Sequence, residues 1–303
     1  MIRPTPANWL SIFALGIIWG GTFMVVSIAL RGYGPVTVAC ARTTLGAAAL
    51  LGLALVTGRR LPPLANAALW AYMVPIGLLN SALPFFLLGW GQQYVPSAFA
   101  GLSMAALPLF VLPLAHFFAD ERMRWKRTAG FALGFIGALV LLGPAALTTG
   151  EDGTLGAARL ACLAAAFSYA VASVLTRRCP PVDPLVLSGL GLAIGAVVLV
   201  PAMLLIEGPP VWQGPALGGA ILFLGLVPTA LASLLRTVVI RSAGSAFMTL
   251  TNYQVPCWSM AFGALILGED LPGHFFVALA LILAGLLLGQ WRALAALFQR
   301  TPS

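Results

Sequence analysis

The chain has 303 residues, 60% of them hydrophobic and only 8% charged, with a formal net charge of +8. Soluble domains carry about 25% charged residues, so this composition excludes a water-facing globular protein and makes lipid the natural surround. The basic excess does not describe a nucleic-acid binder either, because the lysines and arginines are spread between apolar runs rather than gathered in one patch.

A helix needs roughly 20 apolar residues to cross a hydrocarbon core about 30 Å thick. Runs of that kind fall at about 9–30, 35–57, 66–88, 96–118, 128–147, 156–177, 184–206, 214–235, 243–267 and 272–294. They predict ten transmembrane helices, and the mean hydropathy of +1.00 leaves no room for a large aqueous domain. The first run exceeds the roughly 7–15 apolar residues of a signal-peptide core, so it reads as a retained first helix. Gly34-Pro35, Pro62-Pro63, Pro180-Pro181 and Pro209-Pro210 punctuate the links. Irregular backbone cannot face lipid, so these turns belong at the interfaces.

The first run carries Trp19 and Phe23, aromatic candidates for a solute pocket. The second carries Arg42, about seven residues from the helix end and so roughly 10 Å deep at 1.5 Å per residue. A charge at membrane depth costs about 2.5–3.5 kcal/mol on insertion scales. Two readings stay open for Arg42: snorkelling to the interface and helix-end carbonyls, or taking the carboxylate of an amino acid or organic acid. The third run offers Asn80, Ser81 and Pro84, the sixth Ser168, Tyr169, Ser173 and Thr176, and the eighth Pro228, Thr229 and Ser233. In the ninth, Ser245, Thr249, Asn252 and Pro256 recur on one helical face, with Tyr253 beside them. A polar face turned to lipid is unsatisfied, so this stripe is expected to look inward; small polar residues also serve close helix packing, the competing reading. Pro108 and Pro256 free backbone carbonyls within their helices and are candidate hinges.

The eight acidic residues, Asp120, Glu121, Glu151, Asp152, Asp183, Glu207, Glu269 and Asp270, all fall in links or at helix ends. Ion-coupled carriers ordinarily hold a carboxylate inside the membrane, so a uniporter, an exchanger or coupling through other groups is expected. His116 and His274 sit near helix ends and lack a metalloprotease or triad context. Cys40, Cys162, Cys179 and Cys257 are scattered without CxxC spacing, and most read as small hydrophobes. No Gly-rich phosphate loop is present. The expectation is a protein that is not an enzyme, binds no cofactor or metal, and has lipid and a small-molecule substrate as its partners, with the oligomeric state left open.

Orientation follows from the basic residues. With a cytoplasmic N-terminus, the inner segments hold Arg3, Arg59, Arg60, Arg122, Arg124, Lys126, Arg127, Arg177, Arg178, Arg236, Arg241, Arg292 and Arg300, while the outer links hold only Arg31 and Arg159. That bias predicts both termini inside.

The chain also resembles itself at an offset of 148 residues. Ser97-Ala98-Phe99 falls on Ser245-Ala246-Phe247, Pro108 on Pro256, Glu121 on Glu269 and Gly137 on Gly285. Each copy holds five helices, an odd number, so the second enters the membrane from the opposite face. The predicted fold is all-α, two inverted five-helix repeats at 1–147 and 148–303, a common plan of secondary transporters.

Several segments carry a family resemblance. These are "IIWGGTF" in the first helix, "AR" in the second, and "VPSAFAGLSMAALPLFVLPLAHFFADER…GFALGFIGALVLL", echoed by "SAGSAFMTLTNYQVPCWSMAFGALILGEDL…LILAGLLLG". The chain resembles EamA-type members of the drug/metabolite transporter superfamily over essentially its whole length, and in length and aromatic content it is similar to that superfamily's bacterial amino-acid exporters. The resemblance implies a ten-helix basket with a central cavity, alternating access and an inner-membrane location. The expected function is export of small neutral or amphipathic metabolites, amino acids foremost and aromatic ones among them. The expected substrate-binding residues are Trp19, Phe23, Arg42, Asn80, Ser81, Pro84, Tyr169, Ser173, Thr229, Thr249, Asn252 and Tyr253. A nucleotide-sugar, phosphate-ester or drug carrier is the alternative within the superfamily. Phosphate esters call for several cationic partners, and Arg42 is the one strong charge inside a run. A membrane receptor or structural subunit is the alternative outside transport.

Overall fold

The computed structural model describes residues 4–118, 125–143 and 151–298, and among these every regular element is helical. The N-terminal α1 (Pro6–Ala29) opens on a capping box, with the Asn8 N–H donating to Thr5 Oγ1 at 3.3 Å and the Thr5 N–H to Asn8 Oδ1 at 2.9 Å. These contacts satisfy amide groups that lipid would leave bare. α2 (Pro35–Val56) and α9 (Pro184–Ile206) start on proline, whose missing N–H costs nothing in the first turn.

Two rods are each broken near their middle by a wider turn. α3 (Ala67–Gly77) and α4 (Leu83–Gly91) are joined through a π-helical segment, Leu78–Ala82. α10 (Gly214–Leu224) and α11 (Ala232–Ala243) are joined through another, Gly225–Leu231. Both segments lie beside or contain a proline, Pro84 and Pro228, which cannot complete the regular ladder. Two further rods tighten instead. α5 (Ser97–Ser103) meets α6 (Leu107–Phe118) through the 3₁₀ turn Met104–Ala106, just ahead of Pro108. α12 (Ser245–Met248) meets α13 (Thr251–Leu267) through a short turn ahead of Pro256. The remaining helices are α7 (Trp125–Leu142), α8 (Glu151–Arg178) and α14 (Gly273–Phe298).

Among the described residues, eight helices are long and apolar enough to cross a membrane, and Thr128–Leu142 is a shorter apolar one. Two expectations about charge need correction. Arg236 lies within the apolar helix Gly214–Ala243, not in a link, because that helix runs to Ala243. Arg159 is likewise not in a link: α8 begins at Glu151, and Arg159 donates from Nη1 to the Leu142 carbonyl at 2.5 Å, capping the end of α7. Residues 119–124, with Asp120, Glu121, Arg122 and Arg124, and the termini with Arg3 and Arg300 lie outside the described residues.

The helices pack through small residues. α7 and α14 cross so closely that a Cβ added to Gly130 would stand 2.5 Å from the Gly285 carbonyl oxygen, and one added to Gly285 would stand 2.5 Å from that of Gly130. Without a hydrophobic drive between helices in lipid, such backbone approach supplies the contact. α2 packs on α9, where Gly189 faces Leu51, and α1 packs on α13, where Gly20 faces Val255 and Trp258. Phe99 and Phe247, which the 148-residue offset superposes, are among the largest fully buried side chains. Replacing Gly285 by Val should force α7 and α14 apart and lower stability by about 1–3 kcal/mol. Thermal unfolding in detergent checks this, with Gly219→Val, where an added Cβ meets nothing within 4 Å, as the neutral control.

Candidate functional site

The two π-helical segments lie at the middle of the bundle, and the site is built around them. In the wider register the Leu83 N–H bonds to the Leu78 carbonyl. The next donor in that register would be Pro84, which has none, so the Leu79 carbonyl is left over. Ser168 of α8 takes it through its hydroxyl at 2.7 Å. In the second segment Thr229 Oγ1 donates to the Leu224 carbonyl at 2.8 Å, and the indole Nε1 of Trp19 donates to the Pro228 carbonyl at 3.2 Å. Ser81 donates to the carbonyls of Gly77 at 2.6 Å and Gly191 at 3.3 Å, tying α3 to α9.

Arg42 stands beside this centre. Its guanidinium carbon lies 3.8 Å from the centroid of the Phe85 ring, and the residue is only 7% exposed. Tyr169 is within electrostatic range of it and packs against two apolar clusters, one around Phe99 and Leu88 and one around Phe85 and Leu192. Trp19 likewise bridges the Phe99 cluster and the one around Leu15 and Phe247. The structure thus brings Trp19, Arg42, Ser81, Pro84, Tyr169 and Thr229 into one central layer. Ser81 and Thr229 are buried and spend their hydroxyls on backbone carbonyls. Phe23 is buried against Gly101 within the Phe99 cluster.

The other candidates make different contacts. Asn80 and Ser173 are exposed, Asn252 is half-buried, and none of these three side chains has a hydrogen-bond partner among the described residues. Thr249 is half-buried and engaged, and the side chain of Ser245 lies outside what is described. The Tyr253 hydroxyl donates to Gln290 Oε1 at 3.5 Å. Beside them a cleft of about 490 Å³ opens between α1 and α13, lined by Trp9, Ile12, Phe13, Leu250 and Gln254. Pro108 and Pro256 are buried, each next to the tightened turn of its rod. Among the described residues no three His, Cys, Asp or Glu side chains stand together as a metal site.

The ends of the bundle differ. At one end two carboxylates cap helices distant in sequence. Glu207 accepts from the N–H groups of Val36 at 2.9 Å and Thr37 at 2.8 Å. Glu269 accepts from those of Ser97 at 2.7 Å and Ala98 at 3.0 Å. Each anion meets the free N–H groups and positive dipole end of a helix, in the charge-assisted form of the bond. The left-handed Gly268, with φ 67°, ends α13 and turns the chain so that Glu269 can reach α5. At the opposite end Asp183 accepts from the Leu185 N–H at 2.9 Å and pairs with Arg59 at 3.1 Å and Arg241 at 3.7 Å. From the sequence Glu269 is expected to pair with a nearby arginine or a helix N-terminus, and the structure shows a helix N-terminus; which helix it caps, and the role of Glu207, leave no local signal because both partners lie more than one hundred residues away.

The profile of the EamA-like transporter family matches the chain twice, over residues 8–143 and 157–289. The chain is 30% identical over 287 residues to the "Uncharacterized inner membrane transporter YedA" of Escherichia coli (strain K12), covering 92% of this chain and 89% of the relative. It is 28% identical over 296 residues to the "Probable terminal-alkyne amino-acid exporter" of Streptantibioticus cattleyicolor, covering 97% and 96%. A solved crystal structure superposes with a TM-score of 0.66 at 24% identity over 97% of this chain and 99% of its own, a likeness of fold.

The carboxylate caps carry a prediction. Neutralising either by Glu207→Gln or Glu269→Gln should cost about 1.5–3 kcal/mol of stability, as for hydrogen bonds to a charged group. With Cys162, Cys179 and Cys257 replaced by Ser, the double variant should also expose the buried Cys40 thiol of α2 to a membrane-impermeant maleimide. Alkylation no faster than with both carboxylates intact would show that the caps do not close that end.

Proposed function

The chain belongs to the EamA-like transporter family, and we propose on that premise that it exports small neutral or amphipathic metabolites, amino acids foremost, by alternating access. The relatives named as transporters make the chain a metabolite transporter of a membrane-spanning family. The observation that carries the finer reading is the set of polar groups left without protein partners at membrane depth. The Asn80 and Asn252 side chains and the Tyr169 hydroxyl have none among the described residues. Such groups are costly against hydrocarbon but unremarkable on a water-filled path. Trp19, Tyr169 and Tyr253 add aromatic walls to that path, which suits a solute with a polar head and an apolar side chain. The name of the alkyne amino-acid exporter is in keeping with such a solute.

In this reading the chain forms ten transmembrane helices in the bacterial inner membrane, as two inverted five-helix repeats with both termini cytoplasmic. The eight long apolar helices, the shorter Thr128–Leu142 and the α12–α13 rod supply the ten. The double family match supports two copies. The carboxylate-capped end then faces away from the cytoplasm and is closed, and the end with Arg59, Asp183 and Arg241 is cytoplasmic. The cleft between α1 and α13 lies toward that cytoplasmic side, where a solute bound for export enters. Pro108 and Pro256 give the two hinges a matched place in each half.

Proteoliposomes preloaded with labelled amino acids test the reading, which expects saturable efflux of at least one. Asn252→Ala and Tyr169→Phe, each removing one hydrogen-bonding group from the path, should raise the KM about 2- to 10-fold. Absence of saturable efflux for every amino acid would refute the substrate assignment, and unaltered KM in both variants would refute the path.

A further inference from the structure

Arg42 is a buried cation without a compensating partner among the described residues. It is 7% exposed on a helix that crosses the membrane. Its Nε is fully buried with no hydrogen-bond partner. The terminal guanidinium nitrogens have no partner among the described residues either, and they are not sealed in as Nε is. No carboxylate among the described residues pairs with it: Glu207 and Glu269 are committed to helix N-termini and Asp183 to Arg59 and Arg241. A guanidinium is a five-donor fork whose geometry fits a carboxylate or phosphate edge-on. Here the guanidinium carbon stands 3.8 Å from the centroid of the Phe85 ring, a cation–π contact that anchors the group. The terminal nitrogens that would make the paired bonds keep no partner among the described residues, and Tyr169 lies within electrostatic range. A buried, unpaired cation at membrane depth is poor architecture for a purely structural role; Arg159, by contrast, spends its Nη1 on the Leu142 carbonyl, and Arg236 is exposed on its helix.

We propose that Arg42, anchored on Phe85, binds the carboxylate of the transported solute, so that the carrier selects solutes with a single carboxylate over their carboxamides. This rests on the export reading above for the site's accessibility but fixes the head group, which that reading leaves open. The single cation at this centre matches one negative charge. The solute's carboxylate supplies the acceptors that the fork lacks, and the rest of the solute lies along Tyr169 and the aromatic wall. Dianionic phosphate esters would leave one charge unpaired in a low-dielectric site and are disfavoured.

The test measures uptake by counterflow into proteoliposomes for L-leucine, L-phenylalanine and L-threonine and for the carboxamide of each, with pyruvate and inorganic phosphate as further probes. The unaltered protein should move the acids about tenfold faster than the amides, and Arg42→Gln should bring that ratio close to one. Arg42→Lys should keep a reduced preference, because the charge stays but the fork is lost. Phe85→Leu, which keeps the charge and removes the platform, should raise the KM for the acids and leave the amides unchanged; it decides the matter if Arg42→Gln fails to run as a monodisperse peak in size exclusion. Equal rates for acids and amides in the unaltered protein would overturn the proposal while leaving export intact. Pyruvate transport lost in Arg42→Gln, without transport of any amino acid, would overturn the amino-acid reading and uphold the Arg42 assignment. Phosphate as the preferred probe, or no flux of any carboxylate, would overturn the assignment.

Discussion

No water waits in the hydrocarbon core to take up a stray backbone carbonyl, and the architecture follows from that constraint. Proline is abundant in this chain, with 22 residues, and each one inside a helix releases an acceptor. The central layer is the place where these acceptors are collected. Ser168 reaches from α8 to Leu79, Trp19 from α1 to Pro228, and Thr229 back to Leu224 within its own segment. The side chains that meet the π-helical carbonyls therefore do two things together. They keep a locally widened helix tolerable in lipid, and they tie it to a neighbouring rod. π-Helical turns recur at functional sites in proteins generally, and here the helix that follows the first of them carries Phe85, the ring that meets Arg42.

Much of this was legible in the sequence, and the part that was not has a physical explanation. Apolar length alone gives the rods, since a helix has to be long enough for the bilayer. Proline positions gave the places where rods bend, because the missing N–H is a local property. Pairings between distant segments leave no such trace. Nothing around Trp19 says that its indole ends on Pro228, 209 residues away. The Ser81 and Thr229 hydroxyls were read as pocket walls because a polar residue on an inward face predicts either a ligand or a neighbouring helix, and spacing alone cannot separate the two. In the structure both donate to carbonyls, whereas Asn80 and Asn252 keep their side chains free of partners among the described residues. Arg236 was assigned to a link because the hydropathy minimum it creates looks like a helix end; the helix in fact continues through it.

Alternating access asks a bundle to be rigid within its moving parts and weakly joined between them. The glycine crossing of α7 and α14 leaves no space for adjustment, since each added Cβ would meet backbone. The rods that bend are others, α3–α4, α5–α6, α10–α11 and α12–α13, and each carries its irregular turn well inside the bundle. Bending there changes the ends of the bundle more than the middle. In the proposed transport cycle these turns would let the ends of the rods move while Arg42 and Phe85 stay in register.

The two ends of the bundle hold their charges differently. At one end each carboxylate, Glu207 or Glu269, is spent on the amides of another helix. At the other, Asp183 divides itself between its own helix start and the guanidinium groups of Arg59 and Arg241. Dissolved salt therefore loosens the exposed pairs at the Asp183 end before it touches the amide caps at the other.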